Sequence, residues 1–288
     1  MKSVAIVLNP EKTDAIDLAR SLVTWLQERN VLVMVEHDAA RAIDMPSLSR
    51  DEKELATADF AVVMGGDGTL LRANRVFGPA GVPMLPIRFG KFGFLAEAEP
   101  SEAYDAISKI LDGDYQINER MMLEAVVTRS NKRVSTATAL NDMVIAKGPL
   151  ARMLRLELHV SGKYVANYAA DGLIIASPTG STAYSLSAGG PLVTPDLRLI
   201  IITPICPHTL SERSLIVSDK QSVDVVVESD SGDVVMLTVD GQLGISLEPG
   251  DRVSVRESKC KAKLLSVDGT SFFEKLQTLL KWGDRLDI

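Results

Sequence analysis

The chain is poor in the residues that build cross-links and metal centres. Its 288 residues include two cysteines, Cys206 and Cys260, and three histidines, His37, His159 and His208. Two cysteines are too few for a disulfide framework, and neither residue type shows the spacing of metal ligands. We therefore expect no disulfide scaffold and no Cys/His metal site, and the natural setting of such a chain is the reducing cytoplasm.

Long apolar runs and an excess of positive charge are also lacking. No hydrophobic stretch reaches the ~20 residues of a membrane-spanning helix, and residues 199–202 predict a strand that stops at Thr203-Pro204. Residues 1–8 carry one positive charge and no small-residue cleavage site, which favours a first strand over a signal peptide. The net charge of −7 argues against a general nucleic-acid binder. We expect neither nucleic acid nor membrane as a partner.

A glycine-rich turn stands between an apolar run and a helical pattern. Residues 60–64 read as a buried strand, residues 65–69 are Gly-Gly-Asp-Gly-Thr, and residues 69–77 have apolar side chains at helical spacing. Unpaired backbone N–H groups at a helix start suit an anion, above all phosphate. Asp67 would repel a phosphate, so it either holds Mg²⁺ or accepts a proton from an attacking hydroxyl. The alternative is a plain turn in which Asp67 caps the helix.

The first 118 residues alternate between strand and helix patterns. Strands are predicted at 4–8, 31–35, 60–64 and 83–87, helices at 13–28, 69–77 and 100–111, and a connecting loop over the polar stretch 37–53. This order predicts an α/β domain over residues 1–118 with a parallel, helix-covered sheet. Its ligand is expected at the carboxyl ends of the strands, where the glycine turn stands.

From about residue 118 short β-rich runs follow one another. They lie at 121–128, 133–139, 143–146, 154–160, 163–167, 222–228, 233–239, 245–247, 252–257 and 263–267. The pattern predicts an all-β, sandwich-like second domain over residues 119–270. Residues 271–282 return to helical spacing, and a lone helix must bury its apolar face. We expect the segment 271–288 to pack on the first domain.

Residues 171–191 have an unusual composition for a β domain. An apolar strand ends in Ser-Pro-Thr-Gly at 177–180, and small hydroxyl residues follow as far as Gly189-Gly190-Pro191. Small side chains let a flat ligand approach the backbone, hydroxyls can bond to it, and Tyr184 can stack on a base or nicotinamide ring. The alternative is an ordinary Gly/Ser-rich turn that starts a short helix.

The glycine motif and this hydroxyl-rich block together resemble the NAD kinases. The motif at 65–69 is followed by Leu-Asn-Asp at 140–142, Asp-Gly at 171–172, the block at 177–191, Pro-Ile-Cys-Pro-His-Thr-Leu-Ser at 204–211 and Val-Asp-Gly-Gln at 239–242, in the order of that family. The glycine motif alone is shared with diacylglycerol kinase-like and phosphofructokinase-like enzymes. The Thr-Gly-Ser-Thr-Ala-Tyr block is strongly specific, and the resemblance spans the chain from the first strand to the last helix.

The resemblance implies phosphoryl transfer, usually from ATP with a divalent metal, to the 2′-hydroxyl of the adenosine ribose of NAD, giving NADP. It also implies a homodimer or homotetramer with sites near subunit contacts. Asp67 would be the catalytic proton acceptor, with Gly68 lining the nucleotide site and Arg72 meeting phosphate. The other dinucleotide contacts that it implies are Asn141 and Asp142 at the adenosine, Asp171 at the nicotinamide end, Thr182, Ala183, Tyr184, Ser185, Leu186 and Ser187 at the adenine, and Arg152 and Gln242 elsewhere.

Three positions depart from the family pattern. Arg88 stands where the family normally has Asn, and a cation there can strengthen a phosphate contact or alter the choice of donor. Asp142 is the shorter of the two acids, so it needs a closer approach to the ribose than Glu. Ala169 replaces an arginine of some members, and we expect that phosphate contact to be absent.

Two other functions stay open at this stage. The chain has no Gly-x-x-x-x-Gly-Lys loop, so the glycine turn, one aspartate and a metal would have to do the equivalent work. A related kinase acting on a lipid or sugar phosphate would share the glycine motif, although a lipid kinase would want a basic or apolar membrane-facing surface. A non-catalytic NAD-binding sensor would bind NAD and form no NADP.

Overall fold

The structure, a computed structural model, describes residues 2–90, 93–148, 153–209, 211–228, 234–267 and 271–282. The chain forms two compact units, unit 1 comprising Met1–Glu119 with Cys260–Ile288 and unit 2 comprising residues 120–259. Residues 260–267, which the sequence prediction gave to the β-rich domain, therefore belong to unit 1. None of the helices in the described ranges has the length and apolar character needed to cross a bilayer.

Unit 1 alternates strands and helices around a parallel sheet. Its elements are β1 (Ser3–Leu8), α1 (Thr13–Glu28), β2 (Leu32–Glu36), α2 (His37–Ala42), a 3-10 turn (Pro46–Leu48), β3 (Ser49–Arg50), α3 (Glu52–Leu55), β4 (Phe60–Gly65), α4 (Asp67–Ala80), β5 (Met84–Arg88), a 3-10 turn (Pro100–Glu102) and α5 (Ala103–Asp112). The strands lie in the order β5-β4-β1-β2-β3, and every neighbouring pair is parallel. All of β4 is buried, as expected for a parallel sheet covered on both faces.

The stretch 37–53 is not the connecting loop that its polarity predicts, because it folds into α2, a 3-10 turn, β3 and α3. Ala39, Ala40 and Ile43 are completely buried in the core of unit 1. Two of the three are alanines, so the buried face shows no stripe of large apolar residues in the sequence. Helix α3 begins with a capping box, in which Asp51 and Glu54 each accept the other's backbone N–H.

Unit 2 is a two-sheet sandwich. The elements that lie in it, wholly or for most of their length, are β6 (Gln116–Arg129), β7 (Lys132–Ala139), β8 (Asp142–Lys147), β9 (Leu154–Val160), β10 (Lys163–Ala170), β11 (Gly172–Ala176), a 3-10 turn (Thr179–Thr182), α6 (Tyr184–Ser187), β12 (Leu199–Ile205), β13 (Leu215–Ser218), β14 (Val223–Val227), β15 (Val235–Val239), β16 (Leu243–Leu247) and β17 (Arg252–Ser266), of which β6 begins and β17 ends in unit 1. One sheet is antiparallel with the order β13-β12-β11-β8-β15-β16, and the other contains β10-β9-β14-β17 with β6 and β7. Buried side chains from both sheets form one core, which confirms the sandwich-like prediction.

Two strands are longer than the sequence predicts. Strand β12 continues through Thr203-Pro204 to Ile205 because its pairing with β13 ends at Ile202 while its pairing with β11 goes on. Pro204 therefore sits where only one side of the strand is paired, and its missing N–H is tolerated there. Strand β17 is one strand, since the charged residues between its two predicted halves alternate with buried Ser258 and Ala262.

The last described helix is α7 (Phe272–Leu280), which Ser271 and Glu274 start with a capping box. It packs within unit 1, where the ring of Phe272 lies 6.1 Å from that of Phe94. The buried face is not the purely apolar one that the helical spacing suggests. Phe273 is 60% exposed, whereas Lys275 is buried.

Candidate active site

A pocket of about 710 Å³ opens in unit 1 at the carboxyl ends of β1, β4 and β5. Three loops line it, with Asn9 to Lys12 after β1, Gly66 to Thr69 after β4, and Phe89, Gly90 and Gly93 after β5; Asp38 and Arg72 complete the wall. This is where the β-α-β order predicts a ligand.

Asp67 is the first residue of α4, and Gly66 occupies the cap position. The carbonyl of Gly66 accepts the N–H groups of Thr69 and Leu70 at 2.9 and 3.2 Å. The carboxylate of Asp67 makes no capping bond and instead accepts the backbone N–H groups of Phe94 at 3.2 Å and Leu95 at 3.4 Å. The capping interpretation of Asp67 is therefore wrong.

The site depends on two close backbone approaches that only glycine allows. A Cβ atom on Gly93 would lie 2.2 Å from Oδ1 of Asp67, and one on Gly65 would lie 2.3 Å from Oγ1 of Thr69. Both distances are far below van der Waals contact, so a side chain at either position would displace its neighbour. The loop at 93–95 thus wraps directly against the carboxylate.

The surroundings of Asp67 shift its ionisation. Burial raises the pKa of the carboxyl, while the hydrogen bonds from Leu95 and Phe94 and the charge of Lys275 hold the rise back. The net pKa is higher than that of an ordinary aspartate, which makes the carboxylate a stronger proton acceptor.

Two cations stand in the pocket wall. Arg72 forms an ion pair with Glu36 and donates to the carbonyl of Leu8 at 3.1 Å, so its guanidinium is anchored at one side of the pocket. Lys12 follows β1, and its ammonium nitrogen would lie 3.7 Å from a Cβ on Gly90. The sequence analysis missed Lys12 because a single lysine after a strand belongs to no motif. The contact of Arg72 with phosphate stays a prediction.

Arg88 stands at the carboxyl end of β5, beside the pocket. It forms an ion pair with Glu99 and lines an adjoining groove of about 330 Å³ with Asp14 and Pro100. It also lines a small cavity together with Gly66 and Asp67. A phosphate contact of Arg88 stays a prediction.

A divalent metal fits this pocket only together with a nucleotide. The described residues contain no group of three or more His, Cys, Asp or Glu side chains able to hold an ion. The acids that line the pocket are Glu11, Asp38 and Asp67. Mg²⁺ commonly takes one or two carboxylates and completes its shell with water and substrate phosphates, and Asp67 suits that arrangement.

A second group of predicted residues lies in unit 2, around the turn before β8. The carboxylate of Asp240 accepts three successive backbone N–H groups, those of Leu140 at 2.8 Å, Asn141 at 2.7 Å and Asp142 at 3.1 Å. Among the described atoms Oδ1 of Asn141 is buried without a hydrogen-bond partner. A buried orphan acceptor of this kind is where a ligand hydroxyl can bind. The sequence analysis gave Asp240 no role, although the Asp-Gly pair marks the β15–β16 turn.

Asp142 is buried beside Asp240 and has a strongly perturbed ionisation. Burial first, and then the charge of Asp240, raise the pKa of Asp142 to about 7. Near neutral pH this carboxyl is therefore divided between its protonated and ionised forms.

Most of the buried hydroxyl groups in the hydroxyl-rich block are hydrogen-bonded to other groups of the protein. Ser177 donates to the carbonyl of Leu140, Ser181 donates to the carbonyl of Val193 at 3.0 Å, and the Ser185 hydroxyl lies 3.1 Å from that of Thr203. Thr182 likewise donates to a carbonyl within its own 3-10 turn. Within the block Tyr184 and Ser187 are exposed, while Ala183 and Leu186 are half-buried.

The structure brings some predicted residues of unit 2 together and separates others. The N–H of Ser177 donates to the carbonyl of Asn141 at 2.8 Å, so the block begins beside the Asn141-Asp142 turn. Asp171 lies at the other end of the five-residue strand β11, about 15 Å away, and pairs with Lys147 at 2.7 Å. Gln242 is exposed in the β15–β16 turn. Arg152 lies outside the described residues.

The comparisons with known proteins agree with this architecture. Residues 4–115 match the ATP-NAD kinase N-terminal domain and residues 140–267 the ATP-NAD kinase C-terminal domain. The NAD kinase of Moorella thermoacetica is 46% identical over 98% of this chain and 90% of that protein. The NAD kinase of Geobacter metallireducens is 43% identical over 99% of this chain and 100% of that protein.

Two solved structures share the fold. Yeast NADH kinase complexed with NADH superposes with a TM-score of 0.90 at 26% identity, covering 99% of this chain and 89% of that chain. An NAD kinase from Archaeoglobus fulgidus in complex with ATP has a TM-score of 0.74 at 24% identity, covering 97% of each chain, and supports the fold alone. The fold and the domain matches define a two-domain phosphotransferase. The chain belongs to the NAD kinase family, which confirms the resemblance carried by its motifs.

Proposed function

We propose that this enzyme transfers the terminal phosphoryl group of ATP to the 2′-hydroxyl of the adenosine ribose of NAD, giving NADP and ADP. The observation that carries the proposal is the carboxylate of Asp67, held by two backbone N–H groups at a glycine-turn pocket and given a raised pKa by burial. Relatives named NAD kinase, at over 40% identity along nearly the whole chain, support the same reaction.

Unit 1 supplies the reacting groups in this proposal. The start of α4 presents a positive helix end, and Lys12 and Arg72 add cations to the pocket wall, so triphosphate oxygens are attracted there. Asp67 accepts the proton of the ribose hydroxyl. The hydroxyl oxygen then bonds to the terminal phosphorus, and the bond between that phosphorus and ADP breaks. General-base assistance of this kind is worth roughly 10²–10⁴-fold, or about 3–5 kcal/mol of barrier.

A divalent metal would accompany the triphosphate, with Asp67 as its candidate protein ligand. Bound there, it would neutralise charge that develops on the phosphate oxygens. The positions of Asp67 and of the neighbouring N–H groups do not depend on the metal, because protein backbone holds the carboxylate.

Unit 2 supplies the contacts that choose the acceptor. The orphan Oδ1 of Asn141 suits a ribose hydroxyl donor, and Asp142 lies next to it in the chain. Tyr184 is 47% exposed and suits stacking on the adenine ring. The remaining predicted contacts, including Asp171 and Gln242, stay predictions.

We also propose a cytoplasmic homodimer or homotetramer. The two cysteines are free, as expected in a reducing compartment. Strand β10 lies at the edge of its sheet and exposes Tyr164 and Val165, a surface that a second copy would cover. Light scattering of the purified protein over a range of concentrations measures the assembly directly.

An endpoint assay for NADP tests the proposed reaction. The protein is incubated with Mg²⁺, NAD and one donor at a time from ATP, other nucleoside triphosphates and polyphosphate, with diacylglycerol as the acceptor in a parallel arm. NADP formed with ATP supports the proposal. Phosphorylated diacylglycerol without NADP would favour the lipid-kinase alternative, and a thermal shift with NAD but no NADP from any donor would favour the sensor.

A further inference from the structure

A buried ion pair on the last helix lies behind the loop that holds Asp67. Nζ of Lys275 on α7 lies 3.0 Å from Oε1 of Glu97, and the two side chains are 5% and 3% exposed. A charge pair this deep is costly to form and very costly to break on one side only, since the remaining charge is left buried.

Glu97 belongs to the segment whose backbone binds the carboxylate of Asp67. Phe94 and Leu95 donate their N–H groups to Asp67, and Glu97 follows two residues later with its own N–H bonded to the carbonyl of Pro86 on β5 at 3.1 Å. The segment is thus fixed at its far end to the sheet by its backbone and to α7 by its side chain.

Helix α7 makes a second contact with the segment 93–97. The ring of Phe272, one turn before Lys275, lies 6.1 Å from the ring of Phe94. Phe94 is itself one of the two donors to Asp67, so the helix touches the segment at the donor and at Glu97.

We propose that Lys275 is a positioning residue of the active site, which through Glu97 holds the segment 93–97 against the carboxylate of Asp67. Lys275 touches no substrate in this scheme. It keeps the two N–H donors aimed at the carboxylate. The catalytic part of this inference rests on the proposed function, whereas the contact between the segment and Asp67 does not.

The test compares Lys275→Met, Lys275→Arg, Glu97→Gln and the double variant Lys275→Met/Glu97→Gln. Lys109→Met is the matched control, since it removes a lysine–aspartate pair at the surface of α5. We measure kcat, KM for NAD, amide hydrogen exchange and the thermal midpoint. Displacement of a catalytic group by about 1 Å is worth ~100-fold in rate, so Lys275→Met should lower kcat by roughly 10- to 100-fold. KM for NAD should change by less than about twofold, because the substitution disturbs the position of Asp67 and leaves the binding of NAD intact.

The split between kcat and KM separates positioning from simple packing. Lys275→Arg keeps a cation that can pair with Glu97 and should retain most of kcat. The double variant leaves no buried unpaired charge and should regain thermal stability while its kcat stays low; it carries the test if Lys275→Met does not fold. Wild-type kcat in the double variant would overturn the proposal.

A readout that needs no turnover keeps this inference distinct from the proposed function. Amide hydrogen exchange followed by NMR reports on the N–H groups of Phe94 and Leu95, which bind the carboxylate of Asp67. If the wild-type protein forms no NADP with any donor, the proposed reaction fails, yet the exchange comparison still decides the inference. Unchanged exchange of these two amides in Lys275→Met and in the double variant would refute it, and faster exchange confined to the Lys275→Met variants, with Lys109→Met unchanged, would support it.

Discussion

The two units hold the carboxylates of Asp67 and Asp240 in opposite ways. In unit 1 the backbone positions a side chain, because the N–H groups of Phe94 and Leu95 bind Asp67. In unit 2 a side chain positions the backbone, because Asp240 binds three consecutive N–H groups of the turn at 140–142. In the proposed reaction the first arrangement fixes the reacting group and the second fixes a binding surface. Substitutions in unit 1 should therefore act mainly on kcat, and those in unit 2 on KM and stability.

The largest effect is expected from Asp67→Asn. The amide keeps the shape of the side chain and cannot accept a proton, so kcat should fall by roughly 10²–10⁴-fold while NAD binding persists. Steady-state kinetics and calorimetric titration with NAD measure the two quantities. Asp105→Asn, an exposed aspartate on α5, is the control. Turnover near that of the wild type in Asp67→Asn would remove Asp67 from the mechanism.

The second-largest effect is expected from Gly93→Ala, which should lower kcat by about 100-fold. The added Cβ would lie 2.2 Å from Oδ1 of Asp67 and must push the carboxylate away from its N–H donors. The comparison requires KM for NAD to change far less than kcat. A variant with unaltered thermal midpoint and unaltered kcat would mean that the segment does not approach Asp67 this closely.

Asp240→Asn should affect NAD binding and stability more than turnover. The amide nitrogen cannot accept an N–H, so at least one of the three bonds to the turn is lost, at a cost of about 1–3 kcal/mol. We expect KM for NAD to rise by about tenfold with a smaller change in kcat. A selective loss of kcat, measured in the same assay, would contradict the contrast between the two units.

Asp142→Asn should change how stability depends on pH. The pKa of Asp142 is raised to about 7 in the folded chain, so the native state binds this proton more tightly than the unfolded state does. The contribution of Asp142 to the free energy of unfolding therefore falls as pH rises from about 4 to 7 and is level above. The free energy of unfolding of Asp142→Asn, relative to that of the wild type, should therefore increase as pH rises across that window. Urea unfolding at pH 5, 6, 7 and 8 measures the difference, and parallel curves would rule the effect out.

Tyr184→Ala should act on NAD binding alone. Tyr184 is 47% exposed, and its ring can stack on adenine. Loss of an aromatic–base stack is worth about 1–3 kcal/mol, which should appear as a five- to hundredfold rise in KM for NAD. Tyr184→Phe keeps the ring and should retain the wild-type KM. A KM that Tyr184→Ala leaves unchanged would exclude stacking.

Local patterns were enough to predict most of the fold. The alternation of strands and helices identified the parallel sheet, and the glycine motif located the pocket at its strand ends. The stretch 37–53 failed because small alanines carry the buried face of α2. Strand β17 was divided in two because a polar central segment hid its period of two.

Contacts distant in sequence explain what the sequence could not show at the site. Asp67 was found from its motif, but its two donors lie 27 and 28 residues further along the chain, and Lys275 reaches the same region from the last helix. Asp240 approaches Leu140 from 100 residues away. No local pattern connects such partners. The residue proposed to react was predictable from its motif, and the residues that hold it in place were not.

The internal bonding of the hydroxyl-rich block has a consequence for redesign. The hydroxyls of Ser177, Ser181 and Ser185 hydrogen-bond to Leu140, Val193 and Thr203, and these bonds stabilise the conformation of the segment. A library that randomises every hydroxyl in the block to alter nucleotide choice would mostly sample misfolded chains. Diversity confined to the outward positions Tyr184 and Ser187 would leave the scaffold intact and explore specificity alone.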